Sequence, residues 1–198
     1  MNKVLFLGYD EKQNSLINIL KKNKNLIIDH KNEIIYLDEV KKYDLVVCYG
    51  YRFKITKDIV KNYKEIFNLH ISYLPFNRGA HPNFWSFIEN TPSGISIHKI
   101  DNGFDTGNII FQKLINFDLI KNKKNLTFTN TYKKLINEIE ELFLKNFDKL
   151  LNRDYKEQKQ LNGGSFHKIK DLPANLKSWD QNIYDTINDY NKLKIKNI

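Results

Sequence analysis

Apolar residues in the first half of the chain come in short unbroken runs rather than in strict alternation. KVLFL at 3–7, Leu26–Ile28, YDLVVCYG and EIFNLH each read as a strand, and unbroken runs of this kind mark strands buried on both faces. A further short strand is expected at Glu33–Tyr36. Between these runs the apolar spacing turns helical: Leu16, Ile19 and Leu20 share one face, and ITKDIVKNY opens with Thr56 as an N-cap. Strands alternating with helices predict an α/β fold of Rossmann type, with a mostly parallel sheet flanked by helices.

The second half is organised differently. HPNFWSFIEN reads as a helix whose Phe84, Trp85, Phe87 and Ile88 give a wide apolar face for the core. GISIHKI and NIIFQKLINF are strands on either side of DNGFDTG, a hairpin signal with a longer loop than a two-residue turn. Residues 126–151 carry the strongest helical stripe, through Leu135, Ile139, Leu142, Phe143 and Leu150. Beyond Asn152 the chain turns polar and ends in a helix expected from Trp179 to about Lys194. The expected division is therefore an α/β domain over 1–152 and a short C-terminal extension over 153–198.

Composition narrows the function classes. A hydrophobic fraction of 41% excludes a disordered chain. No apolar run has the length of a membrane span, and the first residues read as a strand rather than a signal peptide. Cys48 is the single cysteine, which excludes an internal disulfide and fits a cytoplasmic protein. A net charge of +9 suggests an anionic partner. Yet the lysines are dispersed among asparagines, in LKKNKNL, LIKNKKNLTF and LKIKNI, as on a solvated basic surface. Neither a paired Cys/His finger nor an RNP-like strand occurs, so nucleic acid is not an expected partner, and neither is a membrane.

Candidate chemistry begins where IFNLH ends. The strand period of two puts Asn68 and His70 on one side, at the carboxyl end of a strand, which is where open parallel sheets bind ligands. Asn can hold a developing oxyanion and His can move a proton near neutral pH. A carboxylate beside His70 would orient the ring and favour its charged form, and DNGFDTG supplies two candidates, Asp101 and Asp105. No metal is expected. A calcium loop starting at Asp101 lacks the needed Gly and Glu, the histidines have no zinc-ligand spacing, and no phosphate-cradling glycine loop follows the first strand.

FNLHISYLPFNRGAHPNFWSF followed by GISIHKIDNGFDTGNIIFQK closely resembles the formyltransferases that use N10-formyltetrahydrofolate, over residues 43–116. The resemblance implies a Rossmann-like formyltransferase fold, abbreviated at its N-terminus, because relatives usually place a longer stretch ahead of the Asn-x-His pair. It implies that Asn68, His70 and Asp105 are catalytic. It also implies that Tyr49, Gly50, Tyr51, Arg52 and Phe53, with Asp101, Asn102, Gly103 and Phe104, hold the folate co-substrate in two loops. Arg78 and His81 lie in the loop that faces the acceptor in relatives.

Three branches of that family compete. Methionyl-tRNA formyltransferases carry a C-terminal barrel, for which the residues after the long helix are too few. Glycinamide ribonucleotide transformylases have a Gly/Ser-rich phosphate loop where GYDEKQNSL stands here. RGAHPNFWSF and GGSFHKIKDLP look most like the sugar N-formyltransferases, which act on nucleotide-linked amino sugars for bacterial surface glycans such as lipopolysaccharide or capsule. A homodimer is compatible with that branch, and a silent folate- or nucleotide-sugar-binding homologue is the alternative from another class.

Overall fold

The computed structural model describes residues 1–117, 126–174 and 176–196. Its strands are β1 (Asn2–Gly8), β2 (Leu26–Lys31), β3 (Leu45–Tyr49), β4 (Ile66–His70), β5 (Arg78–Gly79), β6 (Gly94–Lys99), β7 (Ile109–Leu114) and β8 (Phe166–His167). Its α-helices are α1 (Leu16–Leu20), α2 (Leu37–Val40), α3 (Lys57–Asn62), α4 (Pro82–Ile88), α5 (Phe128–Leu151) and α6 (Ile183–Lys196). Among the described residues six strands form one sheet in the order β2-β1-β3-β4-β6-β7, and β5 pairs with β8. The strands β2, β1, β3 and β4 run parallel, and β6 runs antiparallel to β4. The mostly parallel α/β sheet expected from the sequence is present.

By contacts among themselves the residues fall into two compact units. The first comprises Met1–His70, Ser96–Phe111 and Ile139–Gln160; the second comprises Ile71–Ile95, Gln112–Glu138 and Leu161–Ile198. The boundary expected after residue 152 lies inside the first unit.

In the first unit the unbroken apolar runs become the central strands. Val4 to Leu7 on β1 and Leu45 to Val47 on β3 are fully buried, as strands covered on both faces must be. On one face Leu5, Leu7, Val46 and Cys48 pack with Ile35, Val40, Ile55, Ile59 and Ile66. Elsewhere in this unit the ring of Phe6 meets Phe143 of α5 edge-on, with centroids 6.0 Å apart. The economy of this half lies in its helices: α1, α2 and α3 have five, four and six residues. In the second unit the Phe84, Phe87 and Phe128 rings cluster, and Trp179 and Phe117 join them.

The sequence expectations need four local corrections. Glu33–Tyr36 is not a strand. The Glu39 carboxylate accepts the Tyr36 N–H, which turns the backbone into α2 instead of along the sheet. On α1 the buried set is Leu16, Ile17 and Leu20, and Ile19 is exposed, because the Asn14 side-chain oxygen accepts the N–H groups of Leu16 and Ile17 and so sets the phase of the helix. The last helix starts at Ile183 rather than Trp179, since the Ile183 N–H bonds Leu126 and the Asn182 side chain caps Tyr184. Arg78 and Gly79, expected in a loop, form β5. Among the described residues no helix is long and apolar enough to cross a membrane. The lysines of the KNKK run lie outside the described residues.

Because Phe143 is fully buried against β1, truncating it leaves a cavity that the sheet cannot close. Phe143→Ala should lose about 3–5 kcal/mol of unfolding free energy, read as a lowered urea midpoint.

Candidate functional site

Asn68 and His70 project from the same side of β4, at its carboxyl end, with Phe67 and Leu69 buried on the other. The antiparallel register with β6 sets Asn68 opposite His98 and His70 opposite Ser96. Asp105 reaches this surface from the loop between β6 and β7. Asn68 Nδ2 donates to its Oδ1 at 3.0 Å, and His70 Nε2 lies 3.8 Å from its Oδ2. Of the two candidate carboxylates, Asp105 is the one brought to His70. Asp101 is engaged within its own loop, accepting from the Gly103 N–H and the Thr106 hydroxyl.

The loop holds Asp105 in the left-handed region, at φ 54°, a conformation L-residues adopt uncommonly. Two constraints are visible. The Gln160 side-chain nitrogen donates at 2.8 Å to the carbonyls of both Asp105 and Gly107. Gly107 itself lies so close to β6 that a Cβ there would stand 1.9 Å from the Lys99 carbonyl oxygen. Sequence reading missed Gln160, for which a polar tail after a helix gives no signal. It also missed His98, whose signal was present: in GISIHKI, Ile95 and Ile97 alternate with Ser96 and His98, so the polar pair shares one face.

The two loops expected to hold folate both belong to this unit. Tyr49 and Gly50 end β3 and lead into Tyr51, Arg52 and Phe53; Gly50 has a φ of 69° and no space for a Cβ beside the Tyr9 ring. The Tyr51 and Phe53 rings lie 5.6 Å apart, and Tyr51 OH donates to the Glu33 carbonyl. Phe53 and Phe104 are exposed, and Lys54 from the first loop sits 5.4 Å from the Phe104 ring centre of the second. Exposed aromatic edges beside turn backbone suit a flat heteroaromatic ring with hydrogen-bonding edges. Cys48 is buried on β3, and burial pushes its thiol up, away from the reactive thiolate.

Arg78 and His81 belong to the second unit. Arg78 is half-buried on β5, with its N–H donating to Ser165 O. His81 starts α4 at φ 54°, and its ring stacks on Trp179 at 5.5 Å. The GGSFH segment is built into the same unit: β8 pairs with β5, and the His167 ring stacks on Trp85 at 4.0 Å.

Residues 10–139 match the family model described as Formyl transferase. A solved formyltransferase, PseJ from Anoxybacillus kamchatkensis, in complex with UDP-4,6-dideoxy-4-formamido-L-AltNAc and tetrahydrofolate, is 35% identical with a TM-score of 0.82; the match covers 92% of this chain and 96% of that one. Methionyl-tRNA formyltransferase from Prochlorococcus marinus is 34% identical over 68% of this chain and 39% of its own length. The dTDP-4-amino-4,6-dideoxyglucose formyltransferase of Mycobacterium bovis is 26% identical over 67% and 54%. The chain thus spans 39% and 54% of the length of these curated relatives.

Gly107→Ala should force the loop or β6 to shift, at a cost of about 1–3 kcal/mol in denaturant unfolding. A second expectation concerns acid. Burial pushes the His81 pKa down from the ordinary value of 6.5, so the unfolded chain takes up this proton more readily than the folded one. His81 therefore adds no penalty at high pH and destabilises the fold as pH falls below about 6.5. Relative to His81→Gln, the wild type should lose thermal stability between pH 7.5 and pH 5.

Proposed function

The chain belongs to the formyl transferase family, and on that premise we propose that it moves a formyl group from N10-formyltetrahydrofolate to the amine of a nucleotide-linked amino sugar. The observation that carries the reading is the meeting of Asn68, His70 and Asp105 at one strand end, in a chain alike over nearly its whole length to a formyltransferase solved with a UDP-linked formamido sugar and tetrahydrofolate. Asn68, His70 and Asp105 are the catalytic residues of this proposal. Tyr49 to Phe53 and Asp101 to Phe104 hold the folate, and Arg78 and His81 serve the acceptor. A cytoplasmic setting and a role in surface-glycan synthesis belong to the same proposal.

The chemistry follows from the groups. The amine nitrogen of the acceptor forms a bond to the formyl carbon, and the carbonyl electron pair moves onto oxygen. Asn68 and protonated His70 stabilise that oxyanion, and Asp105 keeps His70 charged and oriented. When the C=O re-forms, the bond from carbon to N10 breaks. The proton the amine loses ends on N10, which leaves a formamide and tetrahydrofolate.

The test is incubation with 10-formyltetrahydrofolate and a panel of UDP- and dTDP-linked amino sugars, with methionyl-tRNA as a further acceptor, following product by mass spectrometry. Formylated nucleotide sugar is expected. Formylated methionyl-tRNA alone would move the chain to the other branch, and stabilisation by folate without product would make it a binding homologue. Asn68→Ala and His70→Ala should each lower kcat by about a hundred- to a thousandfold with the circular dichroism spectrum unchanged. Full activity in either variant would exclude the mechanism.

A further inference from the structure

His98 is a buried titratable side chain that touches both Asn68 and Asp105 and has no part in the reaction as written above. Its Nδ1 lies 2.8 Å from the carbonyl oxygen of Lys99. A carbonyl only accepts, so Nδ1 carries a hydrogen, and Nε2 is the nitrogen that gains or loses a proton. Nε2 stands 3.2 Å from Asn68 Nδ2 and 3.3 Å from Asp105 Oδ1, and those two atoms are 3.0 Å from each other. The three atoms close a triangle, and how its hydrogens are distributed depends on one proton.

With His98 neutral, Nε2 offers a lone pair. Asn68 then gives one amide hydrogen to Nε2 and the other to Asp105, and neither is left for a formyl oxygen. With His98 protonated, Nε2–H donates to Asp105 instead, and Asn68 keeps its bond to Asp105 while its second hydrogen is released. Resting on the formyl-transfer reading, we infer that His98 is a positioning residue whose proton decides whether Asn68 can act as an oxyanion donor.

Asp105 is placed to support a charged ring on either side, since Oδ2 faces His70 at 3.8 Å and Oδ1 faces His98 at 3.3 Å. The rings of His70 and His98 meet edge to face, with centroids 6.1 Å apart. The neighbouring titratable group on β3 is Cys48, opposite Asn68, and burial holds its thiol neutral. Lys99, Glu65 and Tyr155 form their own network around Phe67, on the other face of the sheet.

The inference gives His70 and His98 one required proton each, so their losses on the alkaline side compound. With both substrates saturating, wild-type kcat should fall there as the square of the proton concentration. In His98→Gln, whose amide donates without titrating, it should fall in simple proportion. At the optimum, His98→Ala should lose about tenfold or more in kcat with both KM values within about twofold, the pattern of a lost transition-state interaction. An unchanged alkaline slope in His98→Gln, or a raised KM at constant kcat, overturns the inference. A measurement free of turnover stands beside these: in nitrogen-resolved NMR of the wild type, the Asn68 side-chain NH2 signals should move with the His98 ring across a pH titration. Signals that move independently overturn the inference whether or not the protein is active. Coupled signals in a protein that formylates no acceptor would support the His98 triangle and count against the formyl-transfer reading alone.

Discussion

The register between β4 and β6 fixes this centre. Because side chains alternate along a strand, the pairing of Asn68 with His98 and of His70 with Ser96 puts these four polar side chains on one face and Phe67, Leu69, Ile95 and Ile97 on the other. A slip of one residue would turn Ser96 and His98 toward the apolar packing now filled by Ile95 and Ile97 and leave Asn68 and His70 facing isoleucines, so the alternation itself guards the register. The opposite face adds a second lock. There the Lys99 ammonium sits 4.3 Å from the Phe67 ring centre, with Glu65 and Tyr155 as hydrogen-bond partners. Burial lowers the Lys99 pKa while Glu65 opposes that shift, so the cation is kept in place by its neighbours rather than by water.

Strands fix two of the groups; the third arrives on a loop that must be held. Asp105 keeps its left-handed backbone because Gln160 binds the carbonyls on both sides of Thr106 and because Gly107 lets the loop lie against Lys99. Gln160 comes from the segment after α5, and that segment is itself fastened to the sheet by the two hydrogen bonds between Gln158 and Ile109. The position of one carboxylate thus depends on two stretches of chain, 99–109 and 158–160, held against each other. This is the usual way in which a strained residue persists, over-determined by its surroundings.

The sheet and the Asn68–His70 pair were legible in the sequence for a simple reason: burial on two faces and strand periodicity both write directly into residue order. Asp105 was legible only as one of two carboxylates, until the family resemblance chose between them. What separates them physically is the Asx-type turn that engages Asp101, a contact made by Gly103 and Thr106 that no periodicity encodes. Glu33–Tyr36 misled because Ile34, Ile35 and Tyr36 look strand-like. Ile35 alone is buried, and the Glu39 side chain diverts the backbone into a helix. Pairings between distant short segments, such as β5 with β8, were invisible, since two residues carry no pattern.

Placing a carboxylate between two histidines and an amide has a consequence beyond orientation. Each Asp105 oxygen has an imidazole beside it, and the amide nitrogen of Asn68 shares Oδ1 with one of them. In a site this shielded, hydrogen bonds are strong and unpaired donors costly, so a change of one proton must be answered by a rearrangement of the others. The same closeness that lets Asp105 stabilise a charged ring makes Asn68 sensitive to it. On the proposed reaction, the donor that meets the oxyanion is then set by the hydrogen pattern shared by Asn68, His98 and Asp105 rather than by residue 68 alone.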